Sequence, residues 1–346
     1  MQHVLCRAGR PVRLGNRHPD GDRRVRRWIR GRRPGRGLVR GHRCAFFRPS
    51  VSKPRIRLSA TGDGRRRVRT VLITGGTRGI GAGLARQLLD GGARVVAIGS
   101  AEGPGAALPA EAARRGYADR LAVHRVDLGS VAGTTALAEE LRARYEVLDA
   151  VVLCAGRYHA GRAETVEGFE RTFALYVLSR FLLPELLREP LGRADRPVIL
   201  NLCGTGGIPA GRIHWDDLQL RRRYSGFRAT MQGARANDLL GVSFAARHAG
   251  SGIRYVLYNP LIVDTGLADP FRQPTRALVR VLARLLARRV EQVTPALVDL
   301  LADPPDRPLS AFRRDTPVDL SRPEFDPESA ARLHRVLAGL ASAPAG

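Results

Sequence analysis

The sequence predicts an α/β fold: one doubly wound parallel sheet in a single domain, with a basic extension ahead of it. Three observations carry this. At residue 68 an arginine-rich, aperiodic texture gives way to a short β-rich run, a glycine-rich turn and a helical pattern. A second β-rich run follows at Arg94-Val95-Val96-Ala97-Ile98, completing a β–α–β order. The chain of 346 residues leaves enough length beyond residue 68 for one large domain with a sizeable core.

The extension, residues 1–67, holds most of the charge. The whole chain has 58 Lys and Arg against 32 Asp and Glu, a formal net charge of +26, and Lys53 is its only lysine. Before residue 70 there are 21 arginines and Lys53 against Asp20, Asp22 and Asp63. That stretch is rich in Arg, Gly and Pro and shows no helical or strand period, the composition of a disordered segment. Three readings stay open. Clustered arginine suits a nucleic-acid-binding arm. An organelle-targeting peptide is also Arg-rich and acid-poor, but amphipathic and rich in serine; this segment has only Ser50, Ser52 and Ser59. The preferred reading is a mis-set start or functionless tail, so a nucleic-acid partner is not expected. The four cysteines, Cys6, Cys44, Cys154 and Cys203, contain no CxxC pair and point to a reducing cytoplasm. No run approaches 18 apolar residues, so no transmembrane helix is expected. Arginine every few positions breaks up any secretory h-region.

The first strand is Val68–Ile73. Thr74-Gly75-Gly76-Thr77-Arg78-Gly79-Ile80-Gly81 turns the chain, and a helix follows with Leu84, Leu88 and Leu89 on one face and Gly91-Gly92 as its stop. Gly75 permits the tight turn, Gly79 a close approach to a pyrophosphate, and Gly81 close packing of helix on strand. The helix N-terminus offers free N–H groups and a positive dipole end. This is a candidate dinucleotide site made of Gly75, Thr77, Arg78, Gly79, Ile80 and Gly81.

The TGxxxGxG spacing of residues 74–81 resembles the short-chain dehydrogenase/reductase family, and further pieces from 68 to about 340 line up with it. Val126-Asp127-Leu128 ends a third strand, where the resemblance places an acid beside the adenine. Val151–Gly156 stands for the family's Asn-Asn-Ala-Gly, Thr165–Glu170 starts the long fourth helix, and Val198–Leu202 is the fifth strand. Arg212–Leu218 resembles the insert of the retinol-dehydrogenase-like branch. Asn259–Gly266 is similar to the His-Pro-Gly-x-x-x-Thr stretch beside the nicotinamide. The resemblance implies a Rossmann-type sheet and an NAD(P)-dependent oxidoreductase acting on a carbonyl or alcohol. Its further cofactor contacts map to Ser100, Asp127, Leu128, Ala155, Gly156, Pro260 and Thr265. An acid after the second strand would favour NAD and repel the 2′-phosphate of NADP. Here that strand ends Gly99-Ser100, and Arg78 can pair with a phosphate. NADP is expected rather than NAD.

The family's catalytic positions are empty. The resemblance implies a Tyr as general acid/base, with a free pKa of about 10 lowered by a Lys four residues on, a Ser that orients substrate and an Asn in the fourth helix. The branch motif Tyr-x-x-Ser-Lys-x-Ala-Asn aligns with Thr230-Met231-Gln232-Gly233-Ala234-Arg235-Ala236-Asn237. Thr230 then replaces Tyr, Ala234 replaces Lys, Gly204 replaces Ser and Tyr176 replaces Asn. Since Lys53 is the only lysine, no register can supply a Tyr-x-x-x-Lys pair in the fold. Weak substitutes are Thr230, Tyr176 and Tyr224, the last sharing i, i+4 spacing with Arg228. Tyr224 also reads as a local packing or helix-entry residue. His159 and His214 read as surface or packing residues. Cys154 and Cys203, ending neighbouring strands, read as inert buried thiols unless they form a redox pair.

Residues 225–247 are expected to be helical. Residues 275–290 form a basic amphipathic helix that reads as a lid or subunit contact, a membrane-surface contact or an acidic-partner site, so a homo-oligomer stays open. Asp326 and Pro327 start a final helix ending near Leu340. Patches 102–109 and 303–308 read as surface loops. Two functions compete: an NADP-dependent oxidoreductase with a rebuilt site, and a non-catalytic dinucleotide-binding sensor or scaffold. The substrate is a small molecule that the sequence does not name.

Overall fold

The computed structural model describes residues 69–100, 107–206, 211–264 and 287–342. The extension, Thr265 and most of the predicted 275–290 helix lie outside them. In chain order the elements are β1 (Thr70–Thr74), α1 (Gly79–Asp90), β2 (Arg94–Gly99), α2 (Ala107–Arg114), β3 (Leu121–Arg125), α3 (Val131–Arg144) and β4 (Ala150–Leu153). A helix then runs through α4 (Arg171–Phe173), a π-helical turn (Ala174–Leu178) and α5 (Ser179–Leu186). There follow α6 (Arg188–Gly192), β5 (Val198–Leu202), α7 (Gly226–Arg247), β6 (Arg254–Asn259), α8 (Thr294–Ala302), β7 (Leu309–Arg313), β8 (Thr316–Pro317) and α9 (Pro327–Ser342).

The strands form one sheet of order β3-β2-β1-β4-β5-β6-β7-β8. All neighbours are parallel except β7 and β8. The order reverses between β1 and β4, so this is the doubly wound Rossmann-type arrangement that the sequence predicts. Parallel strands need both faces covered, and the strands are written accordingly. Val71 and Ile73 face one apolar cluster with α1 and α8, while Leu72 faces another with α3 and α7. A third cluster joins α5, α7 and α9 through Phe181, Leu240 and Leu337. Among the described residues no helix is long and apolar enough to cross a membrane.

Several boundaries differ from expectation, each for a local reason. β3 stops at Arg125, because Asp127 begins a side-chain turn whose Oδ1 accepts from the Gly129 N–H at 2.9 Å. The fourth helix does not start at Thr165. Residues 164–170 close on themselves, with a bridge between Glu164 and Glu170 and Thr165 N–H donating to the Phe169 carbonyl at 2.7 Å. Glu170 is the N-cap, accepting from Thr172 and Phe173 N–H at 2.8 and 2.7 Å. Residues 107–109 open α2 rather than extending a loop. Residues 287–289 are not helical, and Arg288 bridges Val263. The helix at 225–247 and the final helix match expectation, with Ser225 capping the first and the Asp326 carboxylate accepting from Ser329 N–H at 2.8 Å in the second.

Candidate active site

The carboxyl ends of β1 to β6 build the site. After β1 the backbone turns through Gly75 and Gly79, both left-handed at φ 65 and 55. A Cβ on Gly75 would stand 3.0 Å from the Ala155 backbone, and one on Gly81 would stand 2.3 Å from the Gly75 carbonyl oxygen. Neither position has room for a side chain, so main chain lines the turn at these two points and α1 starts hard against it. Arg78 is the N-cap of α1 and provides no side-chain cap, leaving the first-turn N–H groups for an anion. Its guanidinium is exposed. Thr77 and Ile80 flank it, both half-buried. Thr74 ties β1 to the end of β4: its Oγ1 accepts from Cys154 and Ala155 N–H at 3.0 and 3.1 Å. Ser100, Asp127 and Gly156 are exposed on the same edge, Ala155 is half-buried, and Leu128 and Pro260 are buried. After β6, Leu261 adopts φ 61.

The positions that resemblance marks for Tyr, Lys and Ser hold Thr230, Ala234 and Gly204. Thr230 spends its hydroxyl on its own helix, donating to the Gly226 carbonyl at 2.8 Å. Ala234 is buried. Gly204 and Ala234 line a small polar cavity of about 10 Å³ with Met231, Arg235, Asp238 and Glu324. Arg235 turns away from the position of Ala234, donating to the Gly211 carbonyl at 3.0 Å and pairing with Asp238 at 3.3 Å. Tyr224 does not share a helix face with Arg228, because it precedes the Ser225 cap. Its hydroxyl donates to the His159 carbonyl at 3.0 Å and lies 3.3 Å from Glu170. Arg228 instead meets the His214 ring at 3.2 Å. Burial, more than the neighbouring arginines, lowers the pKa of both His159 and His214. Gln232 fastens the 212–218 insert to α7, accepting from His214 N–H at 2.9 Å and donating to the Leu218 carbonyl at 2.6 Å.

Cys154 and Cys203 are free thiols on opposite faces of the sheet, in separate apolar clusters, so their strand-end positions do not make a pair. Burial pushes them up to about 11 and about 12.

A side chain that sequence reading passed over organises the centre. Arg180 on α5 is 3% exposed. It donates to the Leu202 carbonyl at 2.6 Å, to the Ala155 carbonyl at 2.7 Å and to Asn201 Oδ1. Its guanidinium lies 4.4 Å from the centroid of the Tyr176 ring. Asn201 passes the connection to Asn237 Oδ1 at 2.8 Å, and Asn237 Nδ2 donates to the Tyr176 carbonyl at 2.8 Å. The signal was present as Tyr176-x-x-x-Arg180, one helical turn apart.

The sequence profile of the short chain dehydrogenase family matches residues 69–214. Human retinol dehydrogenase 14 is 30% identical over 230 residues, covering 62% of this chain and 68% of the relative. The chain belongs to the short-chain dehydrogenase family. Mouse retinol dehydrogenase 14 is 30% identical over 219 residues, 60% of this chain and 65% of its own length. The chain spans about three-fifths to two-thirds of the length of such curated relatives. Among solved structures, an uncharacterised protein from Mycobacterium paratuberculosis superposes with a TM-score of 0.60 at 26% identity, over 80% of this chain and 95% of that one. The RhlG/NADP complex of Pseudomonas aeruginosa shares the fold, with a TM-score of 0.56 at 23% identity, over 74% and 96% of the two chains.

Proposed function

We propose that this short-chain dehydrogenase binds NADP(H) and acts as an oxidoreductase on a carbonyl or alcohol through an atypical site. The observation that carries the reading is the cradle: a turn closed to side chains at Gly75 and Gly81, a helix start without a side-chain cap and an exposed arginine at that start. The residues fit the pyrophosphate because an anion there meets main-chain N–H groups and a positive helix end. The choice of NADP over NAD rests on Arg78 together with Gly99-Ser100, where no carboxylate would repel a 2′-phosphate. The NADP in the RhlG complex is consistent with it. Ser100, Asp127, Leu128, Ala155, Gly156, Pro260 and Thr265 are the further contacts we propose. The retinol dehydrogenases among its relatives suggest an alcohol or aldehyde with an extended apolar chain.

NADPH titration by fluorescence tests the first step. Arg78→Ala should weaken NADPH by about tenfold or more, in line with loss of a charge-assisted pair of about 1.5–3 kcal/mol, and leave NADH little changed. Equal losses would refute the assignment of Arg78. A second reading, a dinucleotide-binding sensor without turnover, draws on Gly204, Thr230 and Ala234, none of which offers a free donor to a substrate. Tight NADPH binding without oxidation against any of a panel of aldehydes and ketones would favour it.

A further inference from the structure

We propose that Tyr176 and Arg180 are the proton-donating pair of this site, a phenol and a guanidinium carried by the helix that passes the carboxyl ends of β4 and β5. This rests on the oxidoreductase reading above and assigns residues to it.

Four independent features converge on the pair. The first is placement. Ligands of doubly wound sheets bind outside the carboxyl ends of the strands, and Arg180 is bound there to the carbonyls of Ala155 and Leu202, which follow or end β4 and β5. The second is charge. These partners are neutral carbonyl oxygens, so the cation is held in place without being cancelled, and it stacks on the phenol ring at 4.4 Å. The third is backbone. Tyr176 sits in the middle of the Ala174–Leu178 π turn, a hydrogen-bond pattern rare in helices and frequent at functional sites. The fourth is a socket. A Cβ on Gly233 would stand 2.4 Å from Tyr176 Cδ1, so the ring occupies space that only glycine leaves. Glycine is a poor helix former, and here it admits the ring. The hydroxyl reaches the Gly204 N–H and faces Cys203 and Asp238, and the side chain is half-buried.

The chemistry follows. NADPH held by the Gly75–Gly81 turn would supply a hydride, two electrons with one hydrogen, for the carbonyl carbon of a substrate. As the C=O π pair moves onto oxygen, Tyr176 gives that oxygen its phenolic proton, and the product is the alcohol. Arg180 stabilises the phenolate left behind, and one proton taken up from solvent regenerates the phenol. The net reaction consumes the carbonyl, the hydride and one proton. Burial raises the phenol above its ordinary pKa by more than the Arg180 charge lowers it, so it is protonated at neutral pH and gives up its proton only as negative charge develops on the substrate oxygen.

The test uses the full chain and the chromophoric aldehyde 4-(dimethylamino)cinnamaldehyde, whose absorbance moves to the red when its carbonyl accepts a hydrogen bond. With NADP⁺ present no hydride is available and binding alone is read. The red shift is expected in the wild type and absent in Tyr176→Phe and in Gly233→Ser, where the new side chain displaces the ring. With NADPH, Tyr176→Phe should oxidise the cofactor at least about 100-fold more slowly while its NADPH affinity is unchanged. Arg180→Lys, which keeps the charge and loses the fork, should fall between the two. A Tyr176→Phe protein that keeps the red shift or the rate overturns the proposal. So does a wild type that binds NADPH yet neither shifts nor reduces the aldehyde. A wild type that binds no NADPH fails the oxidoreductase reading itself, and the pair falls with it.

Discussion

Asp238 is a carboxylate placed against its solvation preference. It is 3% exposed on α7, shares a cavity with Ala234 and Gly204, and has Arg235 at 3.3 Å. Burial pushes it up to about 6, against the opposing pull of the Thr205 hydroxyl and the Arg235 charge. The sign follows from linkage. In the unfolded chain the group ionises near pH 4, and in the folded chain near 6. Folding is therefore favoured by this residue below pH 4, and the advantage is lost as pH rises through 6. Asp238→Asn removes the titration with little change of shape. At pH 8 the variant should be more stable than the wild type by up to about 3 kcal/mol, at about 1.4 kcal/mol per pKa unit. At pH 4 the two should coincide. Urea unfolding at both values checks this; a difference that does not change with pH would show that Asp238 does not titrate with folding.

At the scale of elements, the entry to α4 shows how one side chain serves two jobs. Glu170 is 1% exposed, caps two N–H groups of the helix and lies 3.3 Å from the Tyr224 hydroxyl, which ties the strand-end loop to the segment before α7. Glu170→Ala should destabilise the protein by about 2 kcal/mol, between the loss of a cap and the exposure of buried unpaired donors. Glu170→Gln, which keeps one acceptor, should lose less; a urea midpoint shift that is equal in both would argue against capping. The same segment marks the limit of sequence reading. β1, α1 and β2 were legible because their signals are local: a β-rich run, a glycine turn, a 3.6 period and a glycine stop. The start of the fourth helix was not, because residues 164–170 fold back through a bridge and a glycine at φ 78 that carry no periodic signature. The glycine turn that opens α1 was legible for the same local reason. The Tyr176–Arg180 stack was not, although both residues stand in plain sight, because only the tertiary contacts to β4, β5 and Gly233 give the pair a meaning. Leu261 shows the opposite case. A left-handed φ on a leucine is a departure from residue preference, and only the structure reveals it.

On the scale of the whole molecule the charge is divided unevenly. Most of the +26 belongs to residues 1–69, with their 21 arginines and single lysine. In the described fold, arginines are repeatedly matched to acids, as in Arg86–Glu111, Arg193–Glu189 and Arg196–Asp303, each at 2.7 Å. Exposed pairs of this kind contribute little stability each, but they neutralise the surface locally. Among the described residues, the apolar clusters draw on every layer of the sheet domain from Val71 to Leu337. We therefore expect stability and polyanion affinity to separate at residue 68. Removing residues 1–67 should leave the thermal unfolding midpoint and the NADPH dissociation constant where they were. It should also abolish retention on heparin, and retention by the full chain should fall steeply with salt because it rests on counterion release. A shortened protein that still binds heparin would place the polyanion surface on the sheet domain. One that unfolds at a lower temperature would make the basic segment part of the fold, and the boundary at 68 would have to move toward the N-terminus.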